Sequence, residues 1–277
     1  MKKSKSNTLR IEAHSGWKFI DFRELIRNRD LLYFMVLRGI KAKYAQSVLG
    51  IGWAIIQPLV QTIVFTIIFG NLAKIDSEGI PYLLFSFVAM VPWNYFSNIL
   101  TEASDSLVQN KGLLSKVYFP RIIMPLSAVF SKLLDFVIGM IALVGLLFYY
   151  EIYPKWELMM FPVILLILIL TSLGSGMLLS AMAVQYRDVN HAMTFMVRLF
   201  MYGAPVVYSI SVIPSSYLYL YALNPMVGVI EGMRACFIME KAMPWDLLLI
   251  GGTVSLIIFF IGGVYFTRVE KSFADVA

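Results

Sequence analysis

Residues 38–70 read RGIKAKYAQSVLGIGWAIIQPLVQTIVFTIIFG, and this stretch decides what kind of fold the chain adopts. Arg38, Lys41 and Lys43 crowd its first third, and from Val48 to Gly70 there is no charged residue. An uncharged run of that length crosses the roughly 30 Å apolar layer of a bilayer as a helix. Lys and Arg are retained on the cytoplasmic side, so the basic flank orients this crossing and everything that follows it.

The composition agrees. Of the 277 residues, 59% are hydrophobic and 14% charged, and the mean hydropathy is +0.76. Soluble domains are about a quarter charged. The formal charge of +6 does not point to nucleic acid. Of the 23 Lys and Arg, 11 precede Val48, where topological retention and anionic lipid account for them, and no nucleic-acid-binding motif accompanies the charge. Cys236 is the single cysteine, which excludes an intrachain disulfide and a cysteine-rich metal site. No cleavable signal is expected, because the apolar run Leu31–Leu37 is short and ends at Arg38.

Upstream of the opening stretch, residues 1–20 read as a basic cytoplasmic tail and residues 21–47 as an amphipathic interface helix. Asp21 and Glu24 have capping-box spacing. Phe22, Leu25, Ile26, Leu32, Tyr33, Val36 and Ile40 then recur at intervals of three and four. Two surfaces suit that apolar side, the cytoplasmic face of the membrane and a partner protein. Downstream, spans are expected at about 48–70, 81–101, 122–150, 158–184, 192–210 and 247–267. With both termini cytoplasmic, only Lys74, Lys155, Arg234 and Lys241 fall on outer segments, in keeping with retention of positive charge inside.

Between the last two spans, Ser211–Asp246 is broken by Pro214, Asn224-Pro225, Gly228 and Gly232 into pieces too short to cross. They read as two short re-entrant helices hinged at Asn224-Pro225, which backbone rules allow only beside protein or a watery cavity. The fold class is therefore an all-α membrane protein with six transmembrane helices, an N-terminal amphipathic helix and short outer helices. Ser172, Gly176 and Ser180 form a row of small residues, and Gly251, Gly252, Gly262 and Gly263 mark the last span. Both suit close helix packing, within one subunit or between two.

The chemistry is sparse. There is no G-x-x-x-x-G-K-[ST] to cradle nucleotide phosphates and no H-E-x-x-H, and His14 and His191 are far apart. A catalytic reading, as a membrane glycosyltransferase or polymerase, rests on Glu231, Arg234 or Asp246. Two polar stripes remain. Trp53, Gln57 and Gln61 share one face of the first span, and Asn94, Asn98 and Glu102 one face of the second. Amides at that depth need partners, so the stripes face the protein interior, either as interhelical hydrogen bonds or as a polar wall for a sugar-bearing substrate. Tyr202, Tyr208, Tyr217, Tyr219 and Tyr221 cluster around these re-entrant helices, which read as a mouth, either as an interfacial belt or as sliding surfaces for sugar faces. The loop Glu102–Ser127 carries an apolar patch, Val117-Tyr118-Phe119, between polar residues and Pro120 and Pro125. It reads as a docking knob for a partner or as a plain surface loop.

Several pieces occurring in order resemble the type-2 ABC exporter permeases that move lipid-linked polysaccharides such as O-antigen, capsule or teichoic acid. They are residues 43–50 (KYAQSVLG), Gln57-Pro58, residues 116–121 (KVYFPR), Arg187-Asp188, residues 223–226 (LNPM) and the tail 269–275 (VEKSFAD). Where that family often has a carboxylate after Pro-Arg, this chain has Ile122. The resemblance implies that 48–277 is an ABC-2 type transmembrane domain in a bacterial inner membrane. It implies a homodimer with two copies of a separate ATP-binding cassette subunit, which holds the ATP and Mg, while this chain binds no cofactor. It further implies an undecaprenyl-linked glycan as substrate, Asn110, Lys111 and residues Lys116 to Arg121 as the coupling element, and Pro214, Tyr217, Tyr221, Asn224, Pro225, Glu231 and Arg234 in the outer gate. An ABC-2 exporter of another lipid or of drugs is the alternative within the same class.

Overall fold

The computed structural model describes residues 22–45, 47–114, 116, 119–153, 156–186, 188–238 and 242–270. Asp21, Gln46, Val117, Tyr118, Arg187 and the tail from Lys271 lie outside them. Among the described residues the chain is helical and has no strand. Five helical stretches are long and apolar enough to cross a membrane: Gly50–Leu72, Tyr82–Gln109, Ile123–Tyr149, Trp156–Gln185 and Trp245–Val269.

The expected amphipathic helix is two helices, α1 (Phe22–Arg27) and α2 (Arg29–Tyr44), parted at Asn28, whose side chain donates to the Glu24 carbonyl at 2.8 Å. Asn bonds readily to nearby backbone, which makes it a natural break. The apolar residues do not all face one way. Leu25, Leu31, Leu32 and Met35 pack onto the bundle against a cluster that includes Phe119, Ile123 and Phe266, while Ile26, Tyr33 and Phe34 stay exposed.

A short 3₁₀ turn leads into α3 (Trp53–Phe65), which runs on as a π-helical segment over Thr66–Leu72. Inside α3, Pro58 has no N–H to give, and its carbonyl accepts from the Thr62 hydroxyl at 2.7 Å. Helix α4 (Tyr82–Gln109) is the hub, buried along most of its length and packed on α3, α6, α7, α8 and α10. The short α5 (Lys111–Leu114) follows, then α6 (Ile123–Tyr149) and α7 (Phe161–Gln185).

Helices α7 and α11 (Trp245–Val269) make the closest crossing, at Gly174 and Gly262. A Cβ on Gly262 would sit 2.2 Å from the Gly174 carbonyl oxygen, and one on Gly174 would sit 2.6 Å from the backbone of Phe259. Gly176 abuts Ala103 of α4, and Ser172 and Ser180 are fully buried, so this row of small residues packs inside the subunit. Thr171 and Ser255 share a 2.7 Å hydrogen bond across the same seam.

The expected span 192–210 differs from what forms. Helix α8 (Asp188–Tyr202) has 15 residues, about 22 Å at 1.5 Å per residue, short of a full crossing. Beyond Tyr202 the backbone is irregular, yet Ala204, Val206, Val207 and Ser209 are buried. The chain nevertheless passes from one end of the bundle to the other here. Gln185 accepts from Tyr265 near the close of α11, whereas Ser209 bonds Glu78 beside the start of α4. Two short helices follow, α9 (Ser215–Tyr221) and α10 (Pro225–Phe237), hinged at Asn224-Pro225 as the sequence suggests. Every residue of α10 is buried, against α4, α7 and α11.

The crossing at Gly262 has backbone on both sides, so no flexible side chain is there to yield. Replacement by Val is expected to destabilise the fold by about 3 kcal/mol or more. Membrane abundance and thermal unfolding in detergent measure the loss; a Gly262→Val protein with unchanged midpoint contradicts the assignment.

Candidate functional site

The two polar stripes meet. Trp53 and Gln57 of α3 face Asn94 and Asn98 of α4 across an open groove, whose third wall is α6 with Lys132, Asp135 and Phe136. Val91, Pro58 and Gly139 line the groove between the polar groups. Trp53, Gln57 and Asn98 are exposed, as side chains facing a groove are. Such a surface offers amide donors and acceptors, a carboxylate, a cation and a flat indole, the mixture that suits a hydroxyl-rich ligand. Gln61 lies one turn further along α3 outside this lining, its Oε1 buried and without a hydrogen-bond partner.

The sequence offered no sign of the charged members. Lys43, on the last turn of α2, binds Asp135 at 2.5 Å. Lys132, nearly buried on α6, pairs with Glu102 of α4, and Glu102 also accepts from Ser131 at 3.4 Å. Glu102 is thus held by α6 beside the groove, a partner that only tertiary contact reveals.

The expected tyrosines sit elsewhere. The Tyr208 hydroxyl bonds the Tyr202 carbonyl at 2.9 Å and the Tyr221 hydroxyl at 2.8 Å, at the far end of the bundle. Pro214 and Tyr217 are exposed there on and before α9. Asn224 joins the pieces. Its Oδ1 caps α10 by accepting from Met226 at 3.1 Å, and its Nδ2 donates to the Gly203 carbonyl at 2.9 Å. Pro225 opens α10, the first-turn position that its ring favours.

Glu231 and Arg234, expected in the outer gate and the residues on which the alternative catalytic reading would rest, are bound to each other inside the protein. The fully buried guanidinium of Arg234 donates to Glu231 Oε1 at 2.7 Å, to the Val206 carbonyl at 3.3 Å and, more loosely, to the Tyr208 carbonyl at 3.5 Å. It also lies 3.6 Å from the centre of the Phe85 ring. Burial pushes Arg234 below its usual range, and the Glu231 carboxylate opposes that. Asp246 is exposed in the first turn of α11.

The loop 110–121 lies at the opposite end, beside α2. Arg38 donates to Asn110 at 3.1 Å, Lys111 opens α5, and Lys116 is exposed. Phe119 is not the expected exposed knob: it is buried with Ile122, Ile123 and Val269, because the chain turns it into the seam under α11. Val117 and Tyr118 lie outside the described residues. Pro120 is half-buried. Arg121 meets Glu270, at the other end of the chain. The Arg121 backbone N–H donates to Glu270 Oε1 at 3.0 Å, and its guanidinium donates to the Glu270 carbonyl. Burial raises the Glu270 carboxyl above its ordinary range, Arg121 lowers it, and nearby Glu24 adds to the rise.

Residues 30–238 match the family model of the ABC-2 type transporter. The chain belongs to that family of transporter membrane subunits. It is similar to the O-antigen export system permease protein RfbA of Myxococcus xanthus, 29% identical over 255 residues that cover 91% of this chain and 97% of the relative. An RfbA of Klebsiella pneumoniae is 26% identical over 89% of this chain and 95% of its own length. The polysialic acid transport protein KpsM of Escherichia coli is 23% identical over 76% and 80% respectively.

Arg234 supplies both the counter-charge for Glu231 and donors for irregular backbone. Its replacement by Met is expected to cost about 3–5 kcal/mol, as breaking a buried pair does. Arg234→Lys, which keeps the charge but not the fork, should fall between Met and the native chain in thermal unfolding. Equal midpoints for all three contradict the pinning role.

Proposed function

We propose that the chain is the membrane subunit of an ATP-driven exporter of lipid-linked polysaccharide, O-antigen-like in kind, working across a bacterial inner membrane. The observation that carries this reading is the near full-length similarity to O-antigen export permeases. The polar groove supports it, since amides and an indole at membrane depth fit a sugar and would be costly for no purpose. In this reading six crossings form one subunit, the fifth being the passage 188–209. Both termini are cytoplasmic, and two copies enclose the path. Helices α9 and α10 form the outer gate. Helix α2 and the loop 110–121 meet two ATP-binding subunits, which hold ATP and Mg and supply the work. An undecaprenyl carrier brings the glycan to Trp53, Gln57, Asn94 and Asn98.

No nucleotide-binding motif occurs in this sequence, so closure of the partner must reach the groove through moving helices. Charge reversal of Lys116 and Arg121 together should abolish glycan export while the protein remains inserted. Export is read from labelled surface glycan in cells carrying the ATP-binding subunit; native-level export would sink the coupling role of the loop.

Trp53 is half exposed, so Trp53→Ala loses little packing but a sugar-stacking face. Export should fall roughly two- to tenfold, equivalent to about 0.5–1.5 kcal/mol, at unchanged abundance. Tyr208→Ala, by contrast, removes two hydrogen bonds and should lower abundance together with export. If Trp53→Ala instead lowers abundance in proportion, the indole is a packing residue.

A further inference from the structure

Asp135 stands where two parts of the molecule meet. On one side it lines the groove with Gln57 and Asn94. On the other, both of its carboxylate oxygens are taken by the last turn of α2. Oδ2 accepts from Lys43 at 2.5 Å, and Oδ1 accepts from the Tyr44 hydroxyl. The Lys43 ammonium lies 5.3 Å from the centre of the Tyr44 ring, so the two donors are held as one unit. Burial and the facing carboxylate push the Tyr44 hydroxyl above its usual range, so it stays protonated and donating.

The rest of this contact is close. Helix α2 packs along α6, and at Gly39 the two come so close that a Cβ would meet that of Ser131 at 3.2 Å. Ser131 and Lys132 of α6 are in turn bound to Glu102 of α4. Three successive polar positions of α6, Ser131, Lys132 and Asp135, thus tie the surface helix α2 to two walls of the groove. An exposed ion pair is worth little, but the Asp135 side chain is only 14% exposed and has a second, neutral donor. A shift of α2 along its axis cannot leave Asp135 in place without breaking both bonds.

We propose that Asp135 is the positioning residue through which movement of α2 reaches the wall of the groove. The inference rests on the reading of α2 as a surface that meets an ATP-binding subunit. It predicts a defect in coupling, distinct from failure of the subunits to assemble.

The test uses the full chain co-expressed with its ATP-binding subunit in proteoliposomes, with lipid-linked glycan moved per ATP hydrolysed as the readout. Asp135→Asn, Lys43→Asp and Asp135→Lys should each lower that ratio about fivefold or more, and the exchanged pair K43D/D135K should recover it to within about twofold. Tyr44→Phe removes one hydroxyl, should leave abundance unchanged, and should lower the ratio about twofold to threefold. It still decides the matter if the charge variants fail to accumulate. A native ratio in Asp135→Asn or Tyr44→Phe overturns the proposal. So does an exchanged pair no better than Asp135→Lys alone at equal abundance. If the native chain does not co-purify with the ATP-binding subunit, the reading beneath it falls, and the inference with it.

Discussion

A peptide group left without a partner in hydrocarbon costs several kcal/mol, and this constraint shapes the molecule most visibly where its backbone stops being helical. After α8 the chain runs irregularly from Gly203 to Ser209. Its carbonyls are met by side chains sent from elsewhere: Asn224 at Gly203, Arg234 at Val206 and Tyr208, and Tyr82 at Val207 at 2.5 Å. A buried guanidinium is an expensive residue to keep, and a chain of this composition has few charges to spend. Its position is explained by supplying donors that lipid cannot.

The same constraint explains the division of labour among the long helices. Helix α4 is covered on nearly all sides and can carry Ser86, Ser97, Ser104 and Ser106, each bonding back to its own helix. Helix α3 is covered on little of its surface, and Trp53 and Gln57 are the polar side chains it turns to the groove, while Thr62 bonds back to its own helix. Between them the groove has a polar wall of amides and charges. Under the proposed function, contacts with a moving cargo are many and individually modest, since a single tight one would hold it.

At the other end, α1, α2, the loop 110–121 and Glu270 are joined into one surface by Arg38–Asn110, Arg121–Glu270 and the cluster around Phe119. Under the proposed coupling, pressure on this surface reaches the groove through α2 and α6.

The uncharged runs, the basic flanks and the Pro and Gly breaks determined the membrane class, the approximate positions of the long helices and the two short ones after Pro214, because hydropathy and helix breaking are local properties. The four-residue spacing of Trp53 with Gln57 and of Asn94 with Asn98 likewise placed each pair on one face. Only the tertiary structure decided that these faces share a groove with Asp135 and Lys132, that Phe119 turns inward, that α8 ends at Tyr202, and that the Arg121 backbone meets Glu270. Such pairings depend on which helices lie side by side, and no periodicity within one helix records the identity of its neighbour.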